Sequence, residues 1–422
     1  MKIAMICTEK LPVPPIAGGA VQLYIEGIVP YLAQHHDITV FCIEHPRLMS
    51  EEIIGKVRYI RLPSPTKTSY IANIKEKLDS SFDLVYVFNR PLWVLSLAKS
   101  LPSTRFGLSL HNEMFHMEKI DDKKGLECIK RVEFINTVSQ FIADGVTDRF
   151  PDAQPKLNVI YSGADTSKYF PRWSLEGMDN NKKLKAKYGI SNHRIVLYVG
   201  RLSNKKGVDI LLKAMSKVMD TCPDVALVII GSKWYGKNET DEYTASLQSL
   251  AGNLKGPVVF TGFLPPSKIP AHYNMGDIFV CPSQWQEPLA RVLYEAMAAG
   301  LPIITTNRGG NAEVIAKGKN GLLLDDHDGY KNCSSPDVLA EYIGYLLDNP
   351  RLASDMGQEG RKLAEKKYNW ERVAKDVLDV LAKVPAKASV RTTPKVETPP
   401  ESIIKSTEQG ISIINDFFDF NI

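Results

Sequence analysis

Residues 278–302 read IFVCPSQWQEPLARVLYEAMAAGLP. The opening run, 278–281, is apolar and short enough for a buried parallel strand, Pro282 and Pro288 hold off an immediate helix, and 290–299 is rich in helix formers. Gly300 is positioned to stop that helix and Pro302 to start the next strand. Strand, loop, helix, strand is the repeating unit of a doubly wound α/β sheet. A helix that begins just past the carboxyl end of a parallel strand offers free N–H groups and partial positive charge, which favour a phosphate. Glu287 lies before this helix and Glu295 inside it. Phosphate repels carboxylates, so both need other partners. Sugar and ribose hydroxyls serve, because a carboxylate accepts several hydrogen bonds, and a nucleotide sugar therefore suits the stretch better than a bare nucleotide. For Glu295 alone, an i, i+4 pair with Arg291 is the simpler account.

Outward from this stretch the same alternation fills the chain. In the amino-terminal half, 2–7 (KIAMIC), 38–43, 57–62, 84–88, 106–110, 134–139 and 157–162 read as strands, with helical stretches at 21–34, 71–78 and 92–101. The loop after the first strand, TEKLPVPPIAGGA, ends in Gly18 and Gly19, where the backbone can approach a phosphate or sugar. Its spacing is not the G-x-G-x-x-G of a dinucleotide site. His111, in GLSLHNE, stands at a strand's carboxyl end, where ligands of such sheets collect and an imidazole can hydrogen-bond a hydroxyl. His116 follows at i, i+5, which is not a metal-pair spacing.

Past a polar, lysine-rich stretch at 171–194 the pattern restarts with IVLYV at 195–199, which runs into GRLSNKKG and a helix over 208–218. Arg201 and Lys206, two cations between a strand end and a helix start, are suited to a diphosphate. Strands follow at 225–232, 258–263, 278–281 and 303–305, and Arg308, Gly309 and Gly310 make a further strand-end loop. The DHD at 326–328 fits D-x-D, a metal-nucleotide motif, but its turn-rich context reads as solvated. Three helices are expected over 336–384, the last with Val373, Val377, Val380 and Leu381 on one face.

Two of these motifs carry a family resemblance. E-P-x-x-x-x-x-x-E-A-M-A-x-G-x-P, from Glu287, and G-R-L-x-x-x-K-G, from Gly200, resemble the signatures of family four, the retaining GT-B glycosyltransferases. Ala290 stands where the family usually has Gly, Arg291 where a small apolar residue is usual, and Ser162 where Asn is commoner. The resemblance implies two Rossmann-like domains facing across a cleft: 1–170, rejoined by a crossing helix at 369–384, and 190–366. It implies a nucleotide diphosphate sugar of the UDP or GDP type as donor, with no metal. His111, Arg201, Lys206 and Glu287 would be the catalytic set, Arg201 and Lys206 on the diphosphate and Glu287 on the donor sugar. Glu295 would hold the ribose, and Gly18, Gly19, Leu289, Ala290 and Arg291 would line the donor. Asp165, after Gly163, reads as a hinge turn. A catalytically weak coat or scaffold protein and a nucleotide-sugar epimerase are the competing readings on this fold.

Composition narrows the partners. A formal charge of +4 over 422 residues is too small to argue for nucleic acid, and no apolar run approaches a membrane span. Six scattered cysteines without a C-x-x-C pair read as reduced thiols of a cytoplasmic protein, with Cys7, Cys42 and Cys281 in strands. Residues 385–400 are rich in Pro, Thr, Lys and Ala and read as a disordered linker; the apolar, aromatic 401–422 could dock a coat-protein partner.

Overall fold

Runs of β-branched and apolar residues become strands buried on both faces, and amphipathic segments between them become covering helices, as a parallel sheet requires. The computed structural model describes residues 1–233, 241–324 and 335–385. The DHD at 326–328, Cys333 and the tail from 386 lie outside them. The chain divides into a unit of residues 1–385 and a second of 386–422, and all that follows concerns the first.

The first half of that unit runs β1 (Lys2–Ile6), α1 (Ala20–Leu32), β2 (Asp37–Ile43), β3 (Glu51–Ile54), β4 (Val57–Leu62), α2 (Lys67–Lys77), β5 (Leu84–Phe88), α3 (Pro91–Ala98), β6 (Arg105–Leu110), α4 (Asp122–Arg131), β7 (Phe134–Thr137), α5 (Gln140–Thr147) and β8 (Leu157–Val159). These strands form one sheet in the order β3-β4-β2-β1-β5-β6-β7-β8. Every pairing is parallel except β3 with β4, which a turn at Gly55 (φ 61°) folds back as an antiparallel edge. The strand order reverses beside β1, between β2 and β5.

After α6 (Leu175–Lys187) come β9 (Arg194–Val199), α7 (Val208–Thr221), β10 (Val225–Ile230), α8 (Glu242–Gly252), β11 (Val258–Gly262), α9 (Ile269–Tyr273), β12 (Ile278–Cys281), α10 (Arg291–Ala298), β13 (Ile303–Thr306), β14 (Gly321–Leu324), α11 (Pro336–Asp348), α12 (Pro350–Lys367) and α13 (Trp370–Leu381). The second sheet is wholly parallel, β11-β10-β9-β12-β13-β14, and reverses beside β9. Two doubly wound sheets are therefore present, as the alternation predicted.

The polar, lysine-rich stretch before the second half is mostly helix. Ser174 caps α6 by accepting from the Gly177 N–H, and Asn180 and Asn181 both donate to Asn274, which fastens the helix to the second half. Its weak apolar face hid it.

The last helix crosses back. Trp370, Val373, Ala374, Val377, Val380 and Leu381 join the core beneath β1, β2 and β5, against α1. Gly27 permits the contact, since a Cβ there would lie 2.2 Å from the Trp370 ring. Both passages of the chain between the sheets run side by side: Ala164 donates its N–H to the Tyr368 carbonyl at 2.8 Å, and Arg372 donates to the Tyr161 carbonyl at 2.6 Å. Asp165 accepts from the Ser167 N–H and hydroxyl at this crossing, as a turn residue does.

Candidate active site

In open α/β sheets ligands sit at the strands' carboxyl ends, where the order reverses. In the second sheet that point lies between β9 and β12, and the loops after these two strands are Gly200–Gly207 and Pro282–Ala290. They are knitted together. The Gln284 N–H donates to the Lys205 carbonyl at 2.8 Å, and Gly207, at φ 68°, would place a Cβ 2.0 Å from the Pro282 carbonyl oxygen. Only glycine allows this approach, and it brings the start of α7 against the acidic loop.

The close packing sets Lys206 on Glu287. The Lys206 ammonium donates to Glu287 Oε2 at 2.5 Å, and the same oxygen accepts from the Trp285 indole N–H at 2.7 Å and the Ser283 hydroxyl at 3.2 Å. Glu287 is only 7% exposed, so the three donors replace the water its carboxylate gives up. Lys205 and Lys206 lie over the Trp285 ring at 5.0 and 5.8 Å. Trp285 and Ser283 were not singled out from sequence, although an indole two residues before an acid in a strand-end loop was the available signal. Arg201 is exposed at the end of β9, and its carbonyl accepts from the buried Tyr198 hydroxyl at 2.9 Å.

α10 begins at Arg291, one residue later than expected, with Ala290 as its extended first cap. The Ala290 N–H is engaged by Asn311 Oδ1 at 2.9 Å, so the first of the helix-start donors faces a side chain. Leu289 is buried beside it. Glu295, also buried, accepts from the Tyr273 hydroxyl at 2.9 Å and meets Arg291 at 3.7 Å, so the i, i+4 pair exists together with a second partner. Arg291 also donates to the Ser162 hydroxyl and the Gly163 carbonyl and lies 5.1 Å from the Trp370 ring, which ties α10 to both crossings. Gly300, at φ 73°, ends α10 as read.

After β13, Gly309 (φ 57°) passes so close beneath the acidic loop that a Cβ would lie 2.1 Å from the Glu287 carbonyl oxygen. The Gly310 N–H donates to that oxygen at 2.8 Å and the Gly309 N–H to Gln286 Oε1 at 2.7 Å. Arg308 leads this loop.

The first sheet contributes its own strand ends. His111 is buried past β6; its backbone N–H donates to Asn89 Oδ1, Nε2 lies 3.1 Å from Ser109 Oγ, and the ring meets Tyr24 edge-on at 4.8 Å. Burial, reinforced by the Arg291 charge, lowers its pKa to about 3, so the imidazole is neutral. Asn89 holds φ 57°, a left-handed conformation uncommon outside glycine. Gly18 and Gly19 take φ of 92° and 105° at the start of α1, where Gln22 reaches back to Thr8 and the Leu11 carbonyl. The two sheets' loops touch directly, since the Ser139 hydroxyl donates to the Pro288 carbonyl at 2.6 Å. Among the described residues no group of three His, Cys, Asp or Glu side chains is disposed to hold a metal, and no helix is long and apolar enough to cross a membrane.

Comparison with known proteins gives the family and the fold. Residues 180–363 match the family described as Glycosyl transferases group 1. Spore coat protein SA of Bacillus subtilis (strain 168) is 46% identical over 383 residues, covering 91% of this chain and all of the relative. This chain belongs to the group 1 glycosyltransferases, family four of the GT-B fold. A putative glycosyltransferase of the same organism, YtcC, is 40% identical across 99% of both chains. The crystal structure of Anabaena HepE in complex with UDP-glucose shares the fold, with a TM-score of 0.71 at 20% identity over 91% of this glycosyltransferase and 100% of that chain. The protein is thus a glycosyltransferase, with two parallel α/β sheets as in structures of that fold.

Proposed function

We propose that this glycosyltransferase moves a hexosyl group from a UDP- or GDP-type sugar to an acceptor with retention at the anomeric carbon, in the synthesis of a cell-surface or spore-coat glycan. It works as two lobes, 1–170 with the crossing helix and 190–366. The observation that carries this reading is the Lys206–Glu287 contact at the reversal point of the second sheet. A lone lysine would serve as a phosphate site and a lone glutamate as a hydroxyl site; side by side they match the junction between a diphosphate and its sugar.

As the glycosidic bond breaks, negative charge gathers on the β-phosphate. Lys206 has three donors, so with one engaged by Glu287 two are left for phosphate oxygens. Arg201 supplies a second cation, and the start of α10 adds its partial positive charge. Glu287 holds donor-sugar hydroxyls and Glu295 the ribose, while His111, kept neutral, serves as a hydroxyl partner on the first sheet rather than as a charge. The acceptor attacks from the face the phosphate leaves, and the departing phosphate takes its proton. The diphosphate is neutralised by protein cations, without a metal. The similarity to a spore coat protein supports a place at the coat, with 401–422 as the segment for a coat partner.

Donor hydrolysis across a panel of UDP and GDP sugars tests this and names the donor. One sugar nucleotide is cleaved well above the rest. Hydrolysis of none, with no transfer to any sugar or lipid-linked acceptor, would favour a coat protein that keeps the fold without turnover.

A further inference from the structure

Helix α6 has one side committed to the protein and one side open. Leu184 and Tyr188 pack against the second sheet's core, and Asn180 and Asn181 hold Asn274, which fixes the inner face. Leu175, Met178 and Lys182, at i, i+3 and i+7, therefore run along the outer face. Leu175 is 79% exposed and Met178 51%, and just before them Trp173 is 44% exposed although its ring rests against Gly300. Phe170 adds a fourth exposed apolar side chain. Three of the four sit within six residues of sequence, an unusual density for a solvent face.

The charge beside this patch is one-sided. Residues 182–187 carry Lys182, Lys183, Lys185 and Lys187 and no acid; the acids of the helix are Glu176 and Asp179, and Asp179 is held by Lys183 at 2.6 Å. Lys185 and Lys187 fall in the last turn, where the helix dipole accounts for them. It accounts neither for Lys182 nor for exposed leucine, methionine and tryptophan one to two turns earlier. A second protein could cover an apolar patch, but four lysines against two acids, with only Lys183 paired within the helix, leave a net positive charge beside it that favours a negative surface.

We infer that the α6 outer face, with Trp173, is a docking surface for an anionic phospholipid bilayer. Leu175, Met178 and Trp173 enter the headgroup layer and Lys182 and Lys183 meet the lipid phosphates, in the manner of interfacial amphipathic helices. A surface-bound enzyme of this kind would meet its acceptor at the membrane.

The test is co-sedimentation of the full chain with vesicles of phosphatidylcholine alone or with phosphatidylglycerol added. Binding is expected only to the anionic vesicles and to fall with salt. Each lysine near such a surface contributes about fivefold in partition. Lys182→Glu/Lys183→Glu therefore lowers binding at least tenfold, as does Leu175→Ser/Met178→Ser, with an unchanged unfolding midpoint in both because these side chains are exposed. Equal binding to both vesicle types, or unaltered anionic binding in both variants, overturns the inference. So does a dimer that the Leu175→Ser/Met178→Ser change dissociates, since a second copy would then be the occupant.

Discussion

Glu313, on the loop after β13, closes the amino terminus of α5 from the opposite sheet: its carboxylate oxygens accept the backbone N–H of Gln140 at 2.7 Å and of Phe141 at 2.8 Å. The Tyr161 hydroxyl donates to the same group at 2.9 Å. A helix start has unpaired N–H groups, and here the other half of the protein satisfies two of them. Glu313→Ala leaves these donors without an acceptor and is expected to cost about 1–2 kcal/mol in urea unfolding. Glu313→Gln, which keeps one carbonyl acceptor, should cost less. Equal midpoints for all three proteins would mean the contact contributes nothing.

Gly309→Ala should disable the site more than the fold. The added methyl would collide with the Glu287 backbone, so the acidic loop has to shift, and a displacement of about 1 Å at reacting groups costs up to about a hundredfold in rate. Gly318 is the control. It also has a left-handed φ, 77°, but nothing lies within 4 Å of its Cβ position. Transfer kinetics should fall at least tenfold for Gly309→Ala and stay near the parent value for Gly318→Ala; matching losses would show that backbone strain alone is responsible.

His111 makes stability depend on pH. Its pKa in the fold is about 3 against an ordinary 6.5, so between those values the unfolded chain binds a proton that the native protein refuses. Stability from this residue is complete above about pH 6.5 and declines as pH falls, with a slope of up to about 1.4 kcal/mol per unit. The parent's stability relative to His111→Gln should therefore rise from pH 5 to pH 7. A flat difference would mean that the imidazole is not held neutral.

Much of this arrangement was legible in the chain, because strands buried on both faces are continuous apolar runs: 84–88 and 278–281 match β5 and β12 to the residue, and 57–62, apolar apart from Arg58 and Arg61, matches β4. α6 was not, since its inner face offers little apolar surface, Leu184 with Tyr188 just beyond, and is otherwise held by the hydrogen bonds of Asn180 and Asn181. β3 escaped because an exposed edge strand of four residues has no buried face to impose a pattern. At the site, residue types revealed Lys206 and Glu287 as candidates, but the distance between them depends on Gly207 packing against Pro282, which spacing along the chain cannot express. Asn311, Tyr273 and Glu313 act through contacts with residues distant in sequence, and for the same reason no motif announced them; only Trp285, two residues before its partner Glu287, left a local signal.

Chelation should leave turnover unchanged. If Arg201, Lys206 and the start of α10 neutralise the diphosphate, EDTA has nothing to remove. Activity lost with EDTA and restored by manganese would assign that charge to a metal instead.

Calorimetric titration of the donor identified from the sugar-nucleotide panel, set beside its nucleoside diphosphate, addresses the site most directly. Lys206→Ala should weaken both ligands at least tenfold, because both carry the diphosphate. Glu287→Gln should weaken the sugar nucleotide by a similar factor and leave the nucleoside diphosphate nearly unaffected, because only the former has sugar hydroxyls for that carboxylate. Parent-like affinity of both variants for both ligands would contradict a donor held at the Lys206–Glu287 junction.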